Sequence, residues 1–205
     1  MILYGAGGQA KVIYDLILSN NQLLDYLVDD QPHDNFPHHL KIYKPSRELI
    51  EGRRLIIAIG NNRNRERIYH QIRTWCEFVT IHHSTAHVSR FSEVGLGTVI
   101  MPQSSVNAEV SIGNQCIINT GSTIEHECVI EDFVHISPKA SLAGNITVKK
   151  GAHIGIGACI IQGITVGENA VVGAGSVVLK DVPANSVVVG NPARIIKMAD
   201  VHYER

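Results

Sequence analysis

The residues best suited to acid–base chemistry are His126 and Glu127, which are neighbours in the second half of the chain. A neutral imidazole can accept a proton near pH 7, and an adjacent carboxylate can orient the ring and support the charge it gains. The pair therefore has the composition of a general base and its modulator. Two other interpretations of His126 stay open: an exposed turn histidine beside an acid, or one ligand of a metal site, which needs two or three converging imidazoles.

A glycine-rich turn near the N-terminus has residue types suited to binding a diphosphate. It consists of Gly5-Ala6-Gly7-Gly8-Gln9-Ala10, and it follows a short apolar strand and precedes apolar residues at helical spacing. Bare backbone at a helix N-terminus can face a diphosphate, and a carboxylate about twenty residues later, here Asp29, can bind a ribose hydroxyl. Asp30 follows directly, and Gly60 ends a second apolar run at 55–59.

Three assignments for this turn stay open: the diphosphate of a nucleotide sugar, NAD, or a plain tight turn without a ligand. NAD needs two sets of strands, and the N-terminal region has room for only about four strands, half of a full dinucleotide fold. The turn, the two aspartates and Gly60 all lie at predicted carboxyl ends of strands, where ligands bind in open α/β sheets. We therefore favour the nucleotide sugar.

A six-residue period organises the second half of the chain. From Val88 to Val178, every sixth residue is Val, Ile or Leu, sixteen times in succession. The residue two places before is small or aliphatic, and a spacing of two puts both side chains on one side of a strand. Gly, Asn and charged residues crowd the intervening corners. Hexapeptide periodicity predicts a parallel β-helix, with three strands in each coil of eighteen residues and about five coils.

The period also predicts where the histidines lie. Ile124 points inward, so His126 and Glu127 occupy a corner, and Gly144, eighteen residues later, lies directly above His126. A histidine beneath a missing side chain leaves space for a small group. An outward column of mostly apolar residues is predicted to be a subunit interface or a ligand groove; it contains Val99, Ile117, His135, His153 and Val171. His126 and His135 fall on different faces, so we expect no metal site.

Three regions follow from these patterns. Residues 1–82 alternate strands (2–4, 23–28, near 42, 55–59 and 78–81) with helices, one of them a brief helix capped by Ser46 and one at 63–75, as in a small α/β domain with a parallel sheet. Residues 83–186 form the β-helix. The segment 180–183 breaks the count of six, and residues 187–205 form a C-terminal cap and tail.

Composition excludes several other functions. The 205 residues carry a formal net charge of −1 and only one Trp, four Phe and six Tyr, so no nucleic-acid partner is expected. No apolar run approaches about 18 residues, and the N-terminus lacks the basic region of a signal peptide, so we expect no membrane insertion. The four cysteines have no zinc spacing, and Cys116 and Cys128 fall on inward positions. We expect reduced thiols in a cytoplasmic protein.

The whole chain resembles the nucleotide-sugar N-acetyltransferases of bacillosamine-type pathways and the related sialic acid O-acetyltransferases. The most specific match is the segment 118–130, INTGSTIEHECVI, continued by FVHIS at 133–137 and AGN at 143–145. The resemblance implies an α/β N-terminal Rossmann-like subdomain followed by a left-handed parallel β-helix. It also implies that His126 is the general base, that Glu127 modulates it, and that acetyl-CoA is the co-substrate without a metal.

The resemblance further assigns binding residues. His135 and Gly144 bind acetyl-CoA together with Asn119, and Ile156 and Ala174 line the pantetheine channel. The nucleotide sugar is held by Gly7, Gly8, Gln9, Asp29, Asp30 and Gly60. Gln9 stands where many members of the family carry histidine.

These assignments predict an N-acetyltransferase that acts on the 4-amino group of a UDP-linked 4-amino-4,6-dideoxy sugar, for bacterial glycan biosynthesis. A single β-helix offers half a groove, so we expect a homotrimer with active sites between subunits. The alternatives are a sugar O-acetyltransferase of the sialic acid type, and a non-catalytic hexapeptide-repeat scaffold that binds a nucleotide sugar.

Overall fold

The computed structural model describes residues 1–37 and 40–198. His38, His39 and the end of the predicted tail, 199–205, lie outside the described residues. The N-terminal part alternates strands and helices, as predicted: β1 (Ile2–Tyr4), α1 (Gly8–Ser19), β2 (Tyr26–Val28), β3 (Ile42–Tyr43), α2 (Arg47–Ile50), β4 (Arg54–Ile57), α3 (Asn62–Ile72) and β5 (Glu77–Phe78).

The N-terminal sheet contains five parallel strands in the order β3-β2-β1-β4-β5, one at each of the five predicted strand positions, although room for only about four was expected. The chain's first strand therefore has β2 on one side and β4 on the other. At such a change of direction, the loops after the two neighbouring strands diverge to opposite faces and leave a crevice. Gly5 to Gly8 follow β1, and Gly60 follows β4, so both lie at this crevice.

Local signals explain most boundaries of these elements. The Ser46 side chain accepts the Leu49 N–H and caps α2, as predicted. In α3, Ile68 and Ile72 are buried. The second strand begins at Tyr26 rather than Leu23, because the chain first turns back on α1 and leaves Leu23 79% exposed.

The β-helix is built from two-residue strands that recur every six residues. They are β6 (Ile81–His82), β7 (His87–Val88), β8 (Glu93–Val94), β9 (Val99–Ile100), β10 (Ser105–Val106), β11 (Ser111–Ile112), β12 (Ile117–Ile118), β13 (Thr123–Ile124), β14 (Val129–Ile130), β15 (His135–Ile136), β16 (Ser141–Leu142), β17 (Thr147–Val148), β18 (His153–Ile154), β19 (Cys159–Ile160), β20 (Thr165–Val166), β21 (Val171–Val172) and β22 (Val177–Val178).

Three parallel sheets form the faces of the prism. The first face holds β6, β9, β12, β15, β18 and β21; the second holds β7, β10, β13, β16, β19 and β22; the third holds β8, β11, β14, β17 and β20. From β6 to β19, each strand pairs with the strand eighteen residues later, as Ile118 does with Ile136. Every predicted inward position from Ile100 to Val178 is at most 8% exposed, so the predicted register is confirmed. Cys116 and Cys128 are buried free thiols.

The two ends of the β-helix differ from the prediction in detail. The expected strand 78–81 is divided: Phe78 pairs with Leu55 in the N-terminal sheet, whereas Ile81 pairs with Val99 on the first face. At the other end, β23 (Ser186–Val189) continues the first face, and β24 (Arg194–Met198) pairs with it antiparallel. Val187 follows its partner Val171 by sixteen rather than eighteen residues, which confirms the predicted break.

The N-terminal domain packs directly on the first face. Val99 and Ile117 are each 1% exposed and share a core cluster with Ala10, Ile13 and Ile17 of α1. For these two residues, the predicted subunit interface or ligand groove is wrong, because the chain's own α/β domain covers them. Above these two residues, His135 contacts Gly60 of the same domain, and His153 and Val171 line a cavity between the domain and the β-helix. No helix in the described parts of the chain has the length and apolarity needed to cross a membrane.

Candidate active site

His126 and Glu127 form a hydrogen-bonded pair at the corner between β13 and β14. The His126 Nδ1 lies 2.9 Å from the Glu127 Oε2, and the two side chains are 61% and 58% exposed. Because an ionised carboxylate only accepts, the neutral ring donates from Nδ1 and keeps the lone pair on Nε2. The pair therefore presents an accessible proton acceptor, oriented by its neighbour, at the outer edge of the prism.

Gly144 lies against the His126 ring, as the eighteen-residue step predicts. A Cβ on Gly144 would stand 2.5 Å from Cε1 and 2.7 Å from Nε2 of that ring. The predicted empty space above His126 is therefore wrong, because the imidazole itself fills it. The missing side chain of Gly144 gives the ring its place, and the Gly144 N–H has no hydrogen-bond partner among the described residues.

His135 and His153 stack on the first face, with ring centroids 4.7 Å apart. Asn119 accepts the Thr120 N–H with Oδ1, which turns its Nδ2 toward His135 Nε2 at 3.1 Å. His135 Nε2 must then accept, and Nδ1 carries the proton and donates to the Gly60 carbonyl at 3.3 Å. Burial, then the nearby His153 and Arg65, lower the pKa of His135 to about 3, so the ring is neutral at physiological pH.

A groove of about 490 Å³ runs along this face beside the corner that leads to the second face. It brings together four residues predicted to bind acetyl-CoA: Asn119, His135, Ile156 and Ala174. Gly144, the fifth, is not in the groove and lies with His126 at the corner between the second and third faces. Within one chain, the structure therefore does not bring the proposed base to the proposed acetyl-CoA groove.

A cavity of about 620 Å³ lies on the other side of the stacked histidines, between the start of α3 and the first face. Its lining includes Gly60 and Asn61 from the N-terminal domain, and His135, His153 and Val171 from the β-helix. The cavity thus joins a residue predicted to hold the nucleotide sugar to a residue predicted to bind acetyl-CoA.

The glycine turn leaves the backbone open at the crevice of the N-terminal sheet. A Cβ placed on Gly7, Gly8 or Gly60 would meet no atom within 4 Å. No side chain among the described residues caps α1, so the N–H groups at its start are available to an anion. The Gln9 Nε2 is buried without a hydrogen-bond partner among the described residues, and it supplies a further donor at the same turn.

The two predicted aspartates have different environments. Asp29 accepts the Ala6 N–H at 2.7 Å and the Gln31 N–H at 2.8 Å, so its carboxylate holds the turn in shape. Asp30 accepts from the Tyr4 hydroxyl at 3.1 Å, and its side chain is 60% exposed. Of the two, Asp30 is the more accessible to a ligand.

Arg65 is a residue that the sequence patterns did not identify. Its side chain is 1% exposed and lies between α3 and the corner that leads from the third face to the first. A buried arginine needs acceptors for all five N–H groups. Arg65 is three residues before Ile68 and seven before Ile72, a spacing that places all three on the inward side of α3. This spacing was the sequence signal that could have identified Arg65 as buried. In the described parts of the chain, no three His, Cys, Asp or Glu side chains converge as a metal site would require.

Comparisons with known proteins agree with this architecture. Residues 1–72 match the family described as the PglD N-terminal domain. A stretch of 94 residues is 35% identical to GDP-perosamine N-acetyltransferase of Escherichia coli and covers 45% of this chain and 42% of that protein. A stretch of 107 residues is 39% identical to UDP-N-acetylbacillosamine N-acetyltransferase of Bacillus subtilis and covers 48% and 50%. The match spans about half the length of these curated relatives.

Solved structures match over nearly the full length. A histidine-to-asparagine variant of perosamine N-acetyltransferase from Caulobacter crescentus, in complex with CoA and GDP-perosamine, is 32% identical, covers 96% of each chain and has a TM-score of 0.91. The acetyltransferase domain of PglB from Neisseria gonorrhoeae, in complex with acetyl coenzyme A, is 32% identical, covers 95% of this chain and 98% of that one, and has a TM-score of 0.88. The predicted family and fold class are thereby confirmed: the chain belongs to the hexapeptide-repeat β-helix acetyltransferases that include the perosamine and bacillosamine N-acetyltransferases.

Proposed function

We propose that the protein transfers the acetyl group of acetyl-CoA to the amine of a nucleotide-linked amino sugar. The observation that carries this proposal is the His126–Glu127 pair, an exposed imidazole with its Nδ1 held by a carboxylate. In finer detail, we propose the 4-amino group of a UDP-linked 4-amino-4,6-dideoxy sugar, used in cytoplasmic glycan biosynthesis. The relatives named above act on GDP- and UDP-linked sugars, so both nucleotides belong in any test.

The nucleotide sugar would lie with its diphosphate at the start of α1, near Gly7, Gly8 and Gln9, and extend past Gly60. Its amine attacks the thioester carbonyl, and the His126 Nε2 takes the proton that the nitrogen loses. Glu127 stabilises the imidazolium, and the unpaired Gly144 N–H is our candidate donor to the oxyanion. The C–S bond then breaks, and CoA leaves as a thiol with the proton returned from His126. Asn119, His135, Ile156 and Ala174 would hold the pantetheine arm.

Two copies of the chain are needed for this chemistry, because His126 and the proposed acetyl-CoA groove lie at different corners of one prism. A neighbouring copy that presents its His126 corner to the groove would complete the site. Cyclic symmetry then repeats the same contact around a ring. We therefore propose a homotrimer with three sites between subunits.

A CoA-release assay over a panel of UDP-, GDP- and dTDP-linked sugars tests the proposal. We expect release with 4-amino sugars and none with the corresponding 4-hydroxy sugars, and a rise in melting temperature with the accepted nucleoside diphosphate. Release with sialic acid, together with a melting shift by CMP, would favour O-acetylation. No release with any amino sugar, beside a melting shift by the nucleotide, would favour the scaffold.

Replacing Gly144 by alanine should lower kcat about 10–100-fold with little change in melting temperature. The added Cβ would stand 2.5 Å from the His126 ring, which must rotate away, and an exposed ring can do so without disturbing the core. If the effect passes through His126, the double variant with His126→Ala should lose no more activity than His126→Ala alone. Additive losses would show that Gly144 acts independently of the base.

A further inference from the structure

Arg65 joins the two halves of the molecule with a full set of hydrogen bonds. Its Nε donates to the Gln115 carbonyl at 2.7 Å, and Nη2 donates to the Phe133 carbonyl at 2.9 Å and to Asn62 Oδ1 at 2.8 Å. Its Nη1 donates to the carbonyls of Ile59 and Gly60, at 3.0 and 3.2 Å. These five bonds use all five guanidinium donors, and four of the acceptors are backbone carbonyls.

The Gly60 carbonyl receives a second donor from the β-helix. His135 Nδ1 lies 3.3 Å from the same oxygen that accepts Arg65 Nη1. The other ring nitrogen of His135 is satisfied by the Asn119 amide. The Gly60 oxygen, placed by Arg65, and the Asn119 amide therefore determine together which nitrogen of His135 carries the proton. That oxygen belongs to the residue at the crevice of the N-terminal sheet, and His135 belongs to the groove on the first face.

We propose that Arg65 is a positioning residue that acts through the Gly60 carbonyl on His135, and so ties the nucleotide-sugar crevice to the acetyl-CoA groove. The naming of these two ligands rests on the proposed function. The contacts of Arg65, Gly60, His135 and Asn119 do not depend on it. Arg65 touches neither the base nor the reacting atoms. Its replacement should therefore change KM more than kcat.

The geometry of the guanidinium explains why lysine should not replace it. Its acceptors lie on three separate segments, 59–62, 115 and 133, and a planar fork reaches them from one point. An ammonium keeps the positive charge but has three donors on a single nitrogen. Besides Arg65, the charged and titratable side chains of the described residues that line the cavity beside His135 are His153, Arg63 and Lys197, and all of them remain in an Arg65→Lys variant.

Nuclear magnetic resonance of ¹⁵N-histidine-labelled protein tests the proposal without any substrate. In the wild type, we expect His135 to show the Nδ1–H tautomer and no titration between pH 5 and 8, with its signals assigned by their loss in His135→Gln. In Arg65→Lys, we expect a mixture of tautomers. The matched control is Thr80→Val, which removes the 2.7 Å hydrogen bond from Thr80 to the Gly95 carbonyl near the same domain boundary without touching Gly60. The control should keep the wild-type His135 signals.

Steady-state kinetics supply the second readout. Arg65→Lys should raise the KM for acetyl-CoA about 10-fold and leave kcat within about 3-fold, as expected for the loss of one or two hydrogen bonds that position a binding group. Thr80→Val should leave both KM values unchanged. Equal behaviour of the two variants, in spectra and in KM, would overturn the proposal.

The wild-type spectrum protects the test against a variant that fails to fold. An Nε2–H tautomer at His135 in the wild type would by itself refute the proposed route through Gly60. If even the wild type releases no CoA, the proposed function fails, while the tautomer comparison still decides whether Arg65 positions His135.

Discussion

Replacing His126 by alanine is expected to lower kcat about 10²–10⁴-fold, with the KM values for acetyl-CoA and for the nucleotide sugar nearly unchanged. The ring is 61% exposed, bonded to Glu127 and placed against Gly144 at the outer edge of the prism, so its removal leaves the core intact. What is lost is the Nε2 lone pair that we propose to accept the amine proton. The measurement is initial-rate CoA release at saturating concentrations of both substrates.

Two further variants distinguish the loss of a catalytic base from a general effect of removing a histidine or a charge. His87→Ala removes an exposed histidine from the second face, for which the described residues offer no carboxylate partner, and it should leave kcat unchanged. Glu127→Gln keeps the size of the modulator but removes its charge, and it should cost about 10-fold. Wild-type turnover in His126→Ala would remove the assignment of the base.

Mixing two inactive variants tests whether neighbouring chains share a site. One chain would carry His126→Ala and the other His135→Ala, and the two would be unfolded and refolded together in equal amounts. If each site takes its base from one chain and its groove from the next, roughly a quarter of the sites regain both histidines. Activity no greater than that of the separate variants would contradict the shared site.

The β-helix was predictable because its residues obey a strictly local rule. Once Val88 to Val178 is counted in sixes, the side on which each side chain lies follows from the pleat alone. The same count stacks residues eighteen apart, which correctly paired His135 with His153 and placed Gly144 on His126. A parallel coil of fixed length leaves no other partner for these positions, so tertiary neighbours could be derived from sequence distance.

The outward positions were harder to predict, because several partners can cover an apolar residue. Val99 and Ile117 were expected to meet another subunit or a ligand, and instead they meet α1 of their own chain. Nothing in a six-residue period encodes how a separate domain packs on the prism. The role of Arg65 was not predicted for the same reason, because its acceptors on Gln115 and Phe133 lie 50 and 68 residues away in the sequence.

The N-terminal site shows an intermediate case. The glycines were identified from their place between a strand and a helix, and the structure leaves Gly7, Gly8 and Gly60 open at one crevice. The roles of Asp29 and Asp30 could not be told apart, because both follow the same strand. Only the folded turn shows that Asp29 is bonded to the backbone of Ala6, while Asp30 points to solvent beside Tyr4. The sequence was enough to place both aspartates at the site, but only the hydrogen bonds in the structure distinguish their roles.

The period of six also makes a strong prediction about stability. Replacing Ile136 by aspartate should destabilise the β-helix by about 4 kcal/mol or more, because the change removes a fully buried apolar side chain and puts a carboxyl group among apolar neighbours. Ile136 is 0% exposed and lies between Ile118 and Ile154 in one inward column. Ile136 belongs to the apolar core cluster of the prism, so the carboxyl group would be buried among its side chains.

The Ile136→Asp variant should unfold locally around the substituted coil before it unfolds globally, because each coil contacts mainly the coils above and below it. Hydrogen exchange should therefore accelerate first at the amides of β12, β15 and β18, while β1 and β4 in the N-terminal sheet keep their protection. The matched control is Ser141→Asp, at an exposed outward position on β16, which should change stability by less than about 0.5 kcal/mol. If the two variants unfold at the same denaturant concentration, Ile136 does not lie in the core, and the register that places His126 beneath Gly144 would be wrong as well.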